Sequence, residues 1–447
     1  MGKKKCGMVY GVVPAAAVAF AGAGCWDESP RNLTEGYIGT GSRGTEGRKG
    51  GKPGRTPTGG EIMGDREQGG GEGGKDDMDS EEIRAEIMDF GVRLLQHSIR
   101  EGENTLVSPI SVISALAMAA NGAKGETLLQ MEEVFGVPVT DLTNYLSFYM
   151  ETLSEDEGYS VRLANSVWFT EDGRFGVNRD FLRKNAEYFR AGVYKAPFDD
   201  STAGEINRWV EDKTGGLIKE IIDRVPSRAV MYLVDALAFD AEWQDIYLDY
   251  RVCGGSFTME DGTAGEADFM YSNEYLYLED DSAAGFIKYY AEGRYAYVAL
   301  LPDKGLTVWD YISSLTGEGL RNLLDAPQDV AVSAALPKYE SEFSAELSRI
   351  LEEMGMKDAF DTDAADFSGI GTSTAGNIYI NRVLHKTFIA VDERGTKAGA
   401  AAVVEQVARC ALVEMKTVRL DRPFLYMIMD CEAGLPLFMG VCRRVGR

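Results

Sequence analysis

Two histidines, His97 and His385, are the only imidazoles in this 447-residue chain. A Ser-His-Asp hydrolase needs one of them poised beside an exposed nucleophile. His97 lies on a helix-like run from Ile83 to Ile99 and reads as a surface or capping residue. His385 sits in an apolar run that ends Thr387-Phe388-Ile389 and reads as buried on a strand. Neither has a Cys or His neighbour at ligand spacing, so no metal site is expected. Gly39-Thr40-Gly41-Ser42-Arg43-Gly44 spells a dinucleotide-binding fingerprint. No strand precedes it and no helix follows, so no cofactor is expected either. Cys431 and Cys442 flank an apparent hairpin that turns near Gly434. Residue 442 would then stand opposite about residue 424, too far from Cys431 for a disulfide. By this reading the chain has no active site of its own and is not an enzyme.

The elements around these residues divide the chain in three. Apolar residues make up 45% and charged residues 26%, enough for a large folded core. The net charge of −25 argues against nucleic acid as a partner, because phosphate binding needs clustered Lys and Arg. Residues 1–25 read as an export signal: Lys3, Lys4 and Lys5, then an apolar stretch from Met8 to Gly24 interrupted by Pro14. Gly22-Ala23-Gly24-Cys25 is similar to a bacterial lipoprotein cleavage box, which would make Cys25 a lipidated membrane anchor; an ordinary signal cleaved nearby is the alternative. The expected location is extracellular or at the cell surface. Residues 26–80 read as a flexible linker, since 21 of the 51 glycines lie before residue 80. Residues 81–447 hold the folded domain, and no run of eighteen apolar residues appears in it.

The folded domain resembles the serpin family throughout. The resemblance opens on Asn104-Thr105-Leu106-Val107-Ser108-Pro109-Ile110-Ser111. It reads physically as a strand turning into a helix, with Ser108 before Pro109 at a position suited to a helix start. It continues through Ala164-Asn165-Ser166-Val167-Trp168-Phe169, Ile206-Asn207-Arg208-Trp209-Val210 and Leu336-Pro337-Lys338-Tyr339. It closes on Asp421-Arg422-Pro423-Phe424 and Leu435-Pro436-Leu437-Phe438-Met439-Gly440. The resemblance implies an α+β fold with a large central β-sheet, further sheets, about nine helices and an exposed reactive-centre loop. It implies a monomer whose partner is a target protease, and it places Ser108, Ser111, Asp235 and His385 in a shutter beneath the main sheet. Leu233-Val234-Asp235-Ala236 departs from the family, which usually has Asn where this chain has Asp235. A carboxylate there is expected to hydrogen-bond His385 and favour its protonated form.

Glu393-Arg394-Gly395-Thr396-Lys397-Ala398-Gly399-Ala400-Ala401-Ala402-Val403-Val404 resembles the serpin hinge, which slides into the sheet after cleavage. The residues support insertion on their own account. Alternate residues of a strand face opposite ways. Thr396, Ala398, Ala400, Ala402, Val404 and Gln406 are small or uncharged and suit burial, whereas Lys397 and Glu405 fall on the other face. A slip of one residue would bury both charges at several kcal/mol each. The resemblance then implies a suicide inhibitor of serine or cysteine proteases, in which insertion traps the acyl-enzyme. Family spacing counted from Glu393 gives Arg409 as the bait residue, followed by Cys410, and implies a trypsin-like or Arg-specific target. Counting back from Pro423 gives Leu412 and a chymotrypsin-like target. A non-inhibitory serpin acting as a surface binding or structural protein is the alternative, and small residues at the inward hinge positions favour inhibition.

Overall fold

A computed structural model describes residues 13–21, 31–34, 73–153, 155–156, 158–374, 376–396 and 415–445. Among them two nine-stranded sheets, a two-stranded sheet and nine α-helices form an α+β fold.

The first sheet holds the site. Its strands are β1 (Val13–Ala21), β2 (Arg31–Asn32), β3 (Tyr159–Thr170), β4 (Gly192–Ala196), β5 (Ala229–Glu242), β6 (Tyr339–Glu346), β7 (Ile380–Val391) and β8 (Gly395–Thr396), with Glu155–Asp156 at the margin of β3. They lie side by side in the order β6, β7, β1, β5, β3, β4, β2, and β8 pairs with the far end of β5. Alternation along β5 shows why it is central. Leu233, Leu237 and Phe239 enter the main core, while Tyr232, Val234 and Ala236 enter a smaller cluster on the opposite face. Ile206 and Val210 of helix α3 (Asp200–Lys213) cap that second cluster.

The second sheet runs Lys416–Arg419, Gln328–Pro337, Ala264–Glu279, Ala283–Tyr289, Tyr295–Pro302, Phe424–Asp430, Leu435–Cys442 and Thr105–Val107, with Val252–Thr258 beside Ala264–Glu279. Its hairpin turns through Gly434 at φ +64° and pairs Phe424 with Cys442, the register expected from the sequence. Cys253, Cys431 and Cys442 are free thiols.

Two helices fix the floor between the sheets. Helix α1 (Gly73–Ser98) starts upstream of the expected Ile83 and carries the exposed His97 in its last turn, with Nδ1 2.8 Å from the Arg93 carbonyl. Helix α2 (Pro109–Ala120) is buried at all twelve positions. Ser108 is its N-cap and its Oγ accepts from the Ser111 N–H at 3.3 Å, while Pro109 fills the first helical position, where a missing N–H costs nothing. The helix lies under β1 and β5 and brings Ser108 and Ser111 up to the sheet.

Candidate functional site

Two groups of residues on the first sheet make the site: the hinge at the top of β7 and the polar cluster above α2. At the hinge the chain leaves β7 at Val391, turns through Asp392–Arg394 and returns against β5. The turn is held on both sides. The Arg394 N–H donates to Asp392 Oδ1 at 2.8 Å, and the N–H groups of Trp243 and Tyr247 donate to the carbonyls of Arg394 and Glu393, each at 2.8 Å. The Trp243 indole N–H reaches the Asp392 carbonyl at 2.8 Å. Gly395 has φ +151°, and a Cβ there would run into the Ala241 carbonyl oxygen, so only glycine brings the backbone this close.

Glu393 pairs with Lys338 at 2.5 Å. Burial alone would raise the Glu393 carboxyl, but its hydrogen bond to Lys338 overcomes that and holds it below the usual range. Thr396, the first inward hinge residue, is fully buried, and its Oγ1 lies 2.8 Å from the Tyr290 hydroxyl. Tyr290 stacks on Trp243 at 4.4 Å between ring centres. The Lys288 ammonium lies over Trp243 and Tyr247 and donates to Glu274 at 3.1 Å. Sequence reasoning missed Tyr290, Lys288 and Glu274, because a Lys-Tyr-Tyr run on a paired strand carries no signal that sets it apart. Tyr290→Phe leaves the Thr396 hydroxyl buried without that partner, at about 1–3 kcal/mol. The expected result is a thermal midpoint a few degrees lower, read by circular dichroism at a fixed scan rate; an unchanged midpoint would show that this contact does not hold the hinge.

The polar cluster differs from its expected form. Ser111 Oγ donates to Asp235 Oδ1, and the Ser108 N–H donates to His385 Nε2 at 3.2 Å. All four residues are buried, as expected for His385 on its strand. Asp235 and His385 do not bond each other. Ala16 of β1 is paired with both, so a whole strand stands between them. At one strand spacing per step, the two side chains start about 10 Å apart. His385 Nδ1 and Asp235 Oδ2 consequently have no hydrogen-bond partner among the described residues. The expected protonated histidine is therefore a correction: burial without an anionic partner pushes His385 down to about 3. Burial likewise pushes the Asp235 carboxyl well up, against the pull of the Ser111 hydrogen bond. Since Nε2 accepts, the neutral ring carries its proton on Nδ1, so two buried polar atoms, His385 Nδ1 and Asp235 Oδ2, stand without partners on the strands either side of β1.

Ala398, Gly399, Ala400 and Ala401, the bait residues Arg409 and Cys410, the alternative Leu412, and Cys25 lie outside the described residues. The parity expected of the hinge can be read at Thr396, which is inward as expected.

The chain matches the serpin (serine protease inhibitor) family over residues 85–444. An uncharacterised serpin-like protein of Thermococcus kodakarensis is 30% identical over 79% of this chain and 84% of its own length. Intracellular coagulation inhibitor 2 of Tachypleus tridentatus is 24% identical over 83% of this chain and 93% of its own. Among solved structures, the thermophilic serpin tengpin in its native state superposes with a TM-score of 0.79 at 39% identity, covering 94% of this chain and all of tengpin. Thyroxine-binding globulin with thyroxine superposes at 0.70 over 82% of this chain and all of its own, and at 21% identity it shares the fold alone. A match over most of the chain, a hinge glycine pressed against β5 and a serine-capped helix under the sheet make this protein a member of the serpin family.

Proposed function

We propose that this chain is a suicide inhibitor of trypsin-like serine proteases, acting outside the cell from a lipid anchor at Cys25. The observation that carries the reading is Thr396. It is buried and in register with β5, and every second residue after it is small or uncharged up to Gln406. A loop that starts inside the sheet and continues in that pattern is suited to become a strand. Protease attack at Arg409 would form the ordinary acyl-enzyme ester. Insertion of the cut loop would then carry the protease away before water reaches the ester, so the outcome is set by a race between two rates.

The test mixes trypsin with the chain starting at Trp26, the residue that follows the proposed anchor, and runs a denaturing gel. A covalent band at the summed mass, with the released peptide beginning at Cys410, is the expected result. Arg409→Ala should lower the rate of that band by about 100-fold or more, because the carboxylate in a trypsin-like specificity pocket loses its partner. Cleavage without a covalent band would move the chain to the non-inhibitory reading, a surface binding or structural protein. A band with chymotrypsin, released after Leu412, would move the bait residue.

A further inference from the structure

The slot between β7 and β5 is already filled. Val13–Ala21, part of the stretch that reads as an export signal, runs antiparallel to both neighbours along its length. The hinge is aimed at the same slot in the same direction. Gly395 pairs with Glu242 and Thr396 with Ala241, again antiparallel to β5. Continued without a bulge, that register brings Ala401 opposite Ala236, Ala402 opposite Asp235, Val403 opposite Val234 and Val404 opposite Leu233. Ala15, Ala16, Ala17 and Val18 of β1 hold those four places. The two segments also share a composition: Ala15-Ala16-Ala17-Val18 stands where Ala401-Ala402-Val403-Val404 would stand. One slot cannot hold both strands, because each needs the same backbone N–H and C=O groups of β5 and β7.

The polar cluster is a second observation at β1. His385 Nδ1 and Asp235 Oδ2 are buried without partners on the two strands that flank Ala16. With β1 gone and β5 closed onto β7, the two side chains would stand on adjacent strands. The orphaned pair is the cost of the inserted strand and part of the drive to expel it.

We propose that Val13–Ala21 is an internal occupant of the bait-loop slot, which keeps the full chain from trapping a protease until the segment leaves the sheet. Processing before Cys25 would remove it, so export and arming of the inhibitor would be one event. This rests on the inhibitory reading above.

The test uses the full chain and two proline variants. Ala17→Pro removes an N–H and introduces a ring in the middle of a central strand, where proline is not accommodated. Ala23→Pro, two residues past the strand, is the control. Amide hydrogen exchange read by mass spectrometry should show the amides of Ala15 to Phe20 protected by at least about 100-fold in the full chain and in Ala23→Pro, and unprotected in Ala17→Pro. With trypsin, the full chain and Ala23→Pro should be cut with at most a slow covalent band, and Ala17→Pro should form that band at least about ten times faster. Unprotected amides in the full chain would overturn the proposal, and so would equal trapping by all three chains despite protection. Protection lost in Ala17→Pro with no trapping by any chain would sink the inhibitory reading, and with it the control of trapping. If Ala17→Pro fails to fold, Ala17→Asp serves with the same two readouts, since it keeps the backbone donor and puts a charge opposite the buried Val234.

Discussion

Under the proposed inhibitory function, Ala398→Arg in the chain starting at Trp26 is expected to turn trapping of trypsin into plain cleavage, whereas Gly399→Arg is expected to leave trapping in place. The contrast follows from the register at the hinge. Thr396 pairs with Ala241, so the continued strand sets Ala398 opposite Phe239 and Gly399 opposite Ala238. Phe239 is 1% exposed and faces the main core, whereas Ala238 is half-buried on the other face. An arginine at 398 would have to enter that core without a partner, which costs several kcal/mol. If about 3 kcal/mol of that reaches the barrier to insertion, the step slows on the order of 100-fold. Water then deacylates the enzyme first, and the gel shows cut chain and free protease. Ala398 is a better probe than Thr396, because Thr396 is already packed against Tyr290 and its replacement would disturb the resting fold as well. Trapping by Ala398→Arg together with loss of trapping in Gly399→Arg would show that the loop inserts one residue out of register.

Much of this frame was legible because local chemistry decides it. Ser108 before Pro109 reads as a helix start, and the structure caps α2 there. The spacing around Gly434 gives the pairing of Phe424 with Cys442. The apolar run around His385 reads as a buried strand, and it is one. The features that escaped are those set by what lies across a gap. Nothing in Val13–Ala21 says that it pairs with β5 and β7, because its place depends on two strands far along the chain leaving a slot open. The missing Asp235–His385 bond has the same origin, since Ala16 is what separates the two. The hinge alternation was also read too simply. The outward face is not all solvent: the continued register brings Lys397 opposite Asp240, but Glu405 opposite Tyr232 in the buried cluster that α3 caps. Insertion to that depth therefore requires α3 to give way or Glu405 to find a partner.

In the full chain, with β1 in place, stability should depend on pH less steeply than in either single variant, because two buried groups act in opposite directions. Asp235 keeps its proton when folded and releases it above its ordinary 3.8 when unfolded, so its contribution falls as pH rises through that value. His385 refuses a proton when folded down to about 3 but takes one below its ordinary 6.5 when unfolded, so its contribution falls as pH drops. The two slopes have opposite signs and oppose each other wherever both groups differ in protonation between the folded and unfolded chain. Replacing either group exposes the other. Asp235→Asn should leave the His385 slope alone, so its thermal midpoint climbs from pH 4 to 6.5, an interval worth on the order of 3 kcal/mol. His385→Gln should leave the Asp235 slope, and its midpoint should fall as pH rises above the ordinary 3.8. The midpoints are compared at one scan rate, because a chain that unfolds irreversibly gives a midpoint that depends on it. Proton resonances give a direct reading, since His97→Gln leaves His385 as the sole imidazole. That signal should not titrate between pH 4 and 8 in the full chain, and should titrate above 6.5 once β1 has left and Asp235 can accept from Nδ1. An Asp235→Asn curve that overlays the parent would show that burial does not hold the Asp235 carboxyl protonated in the folded chain.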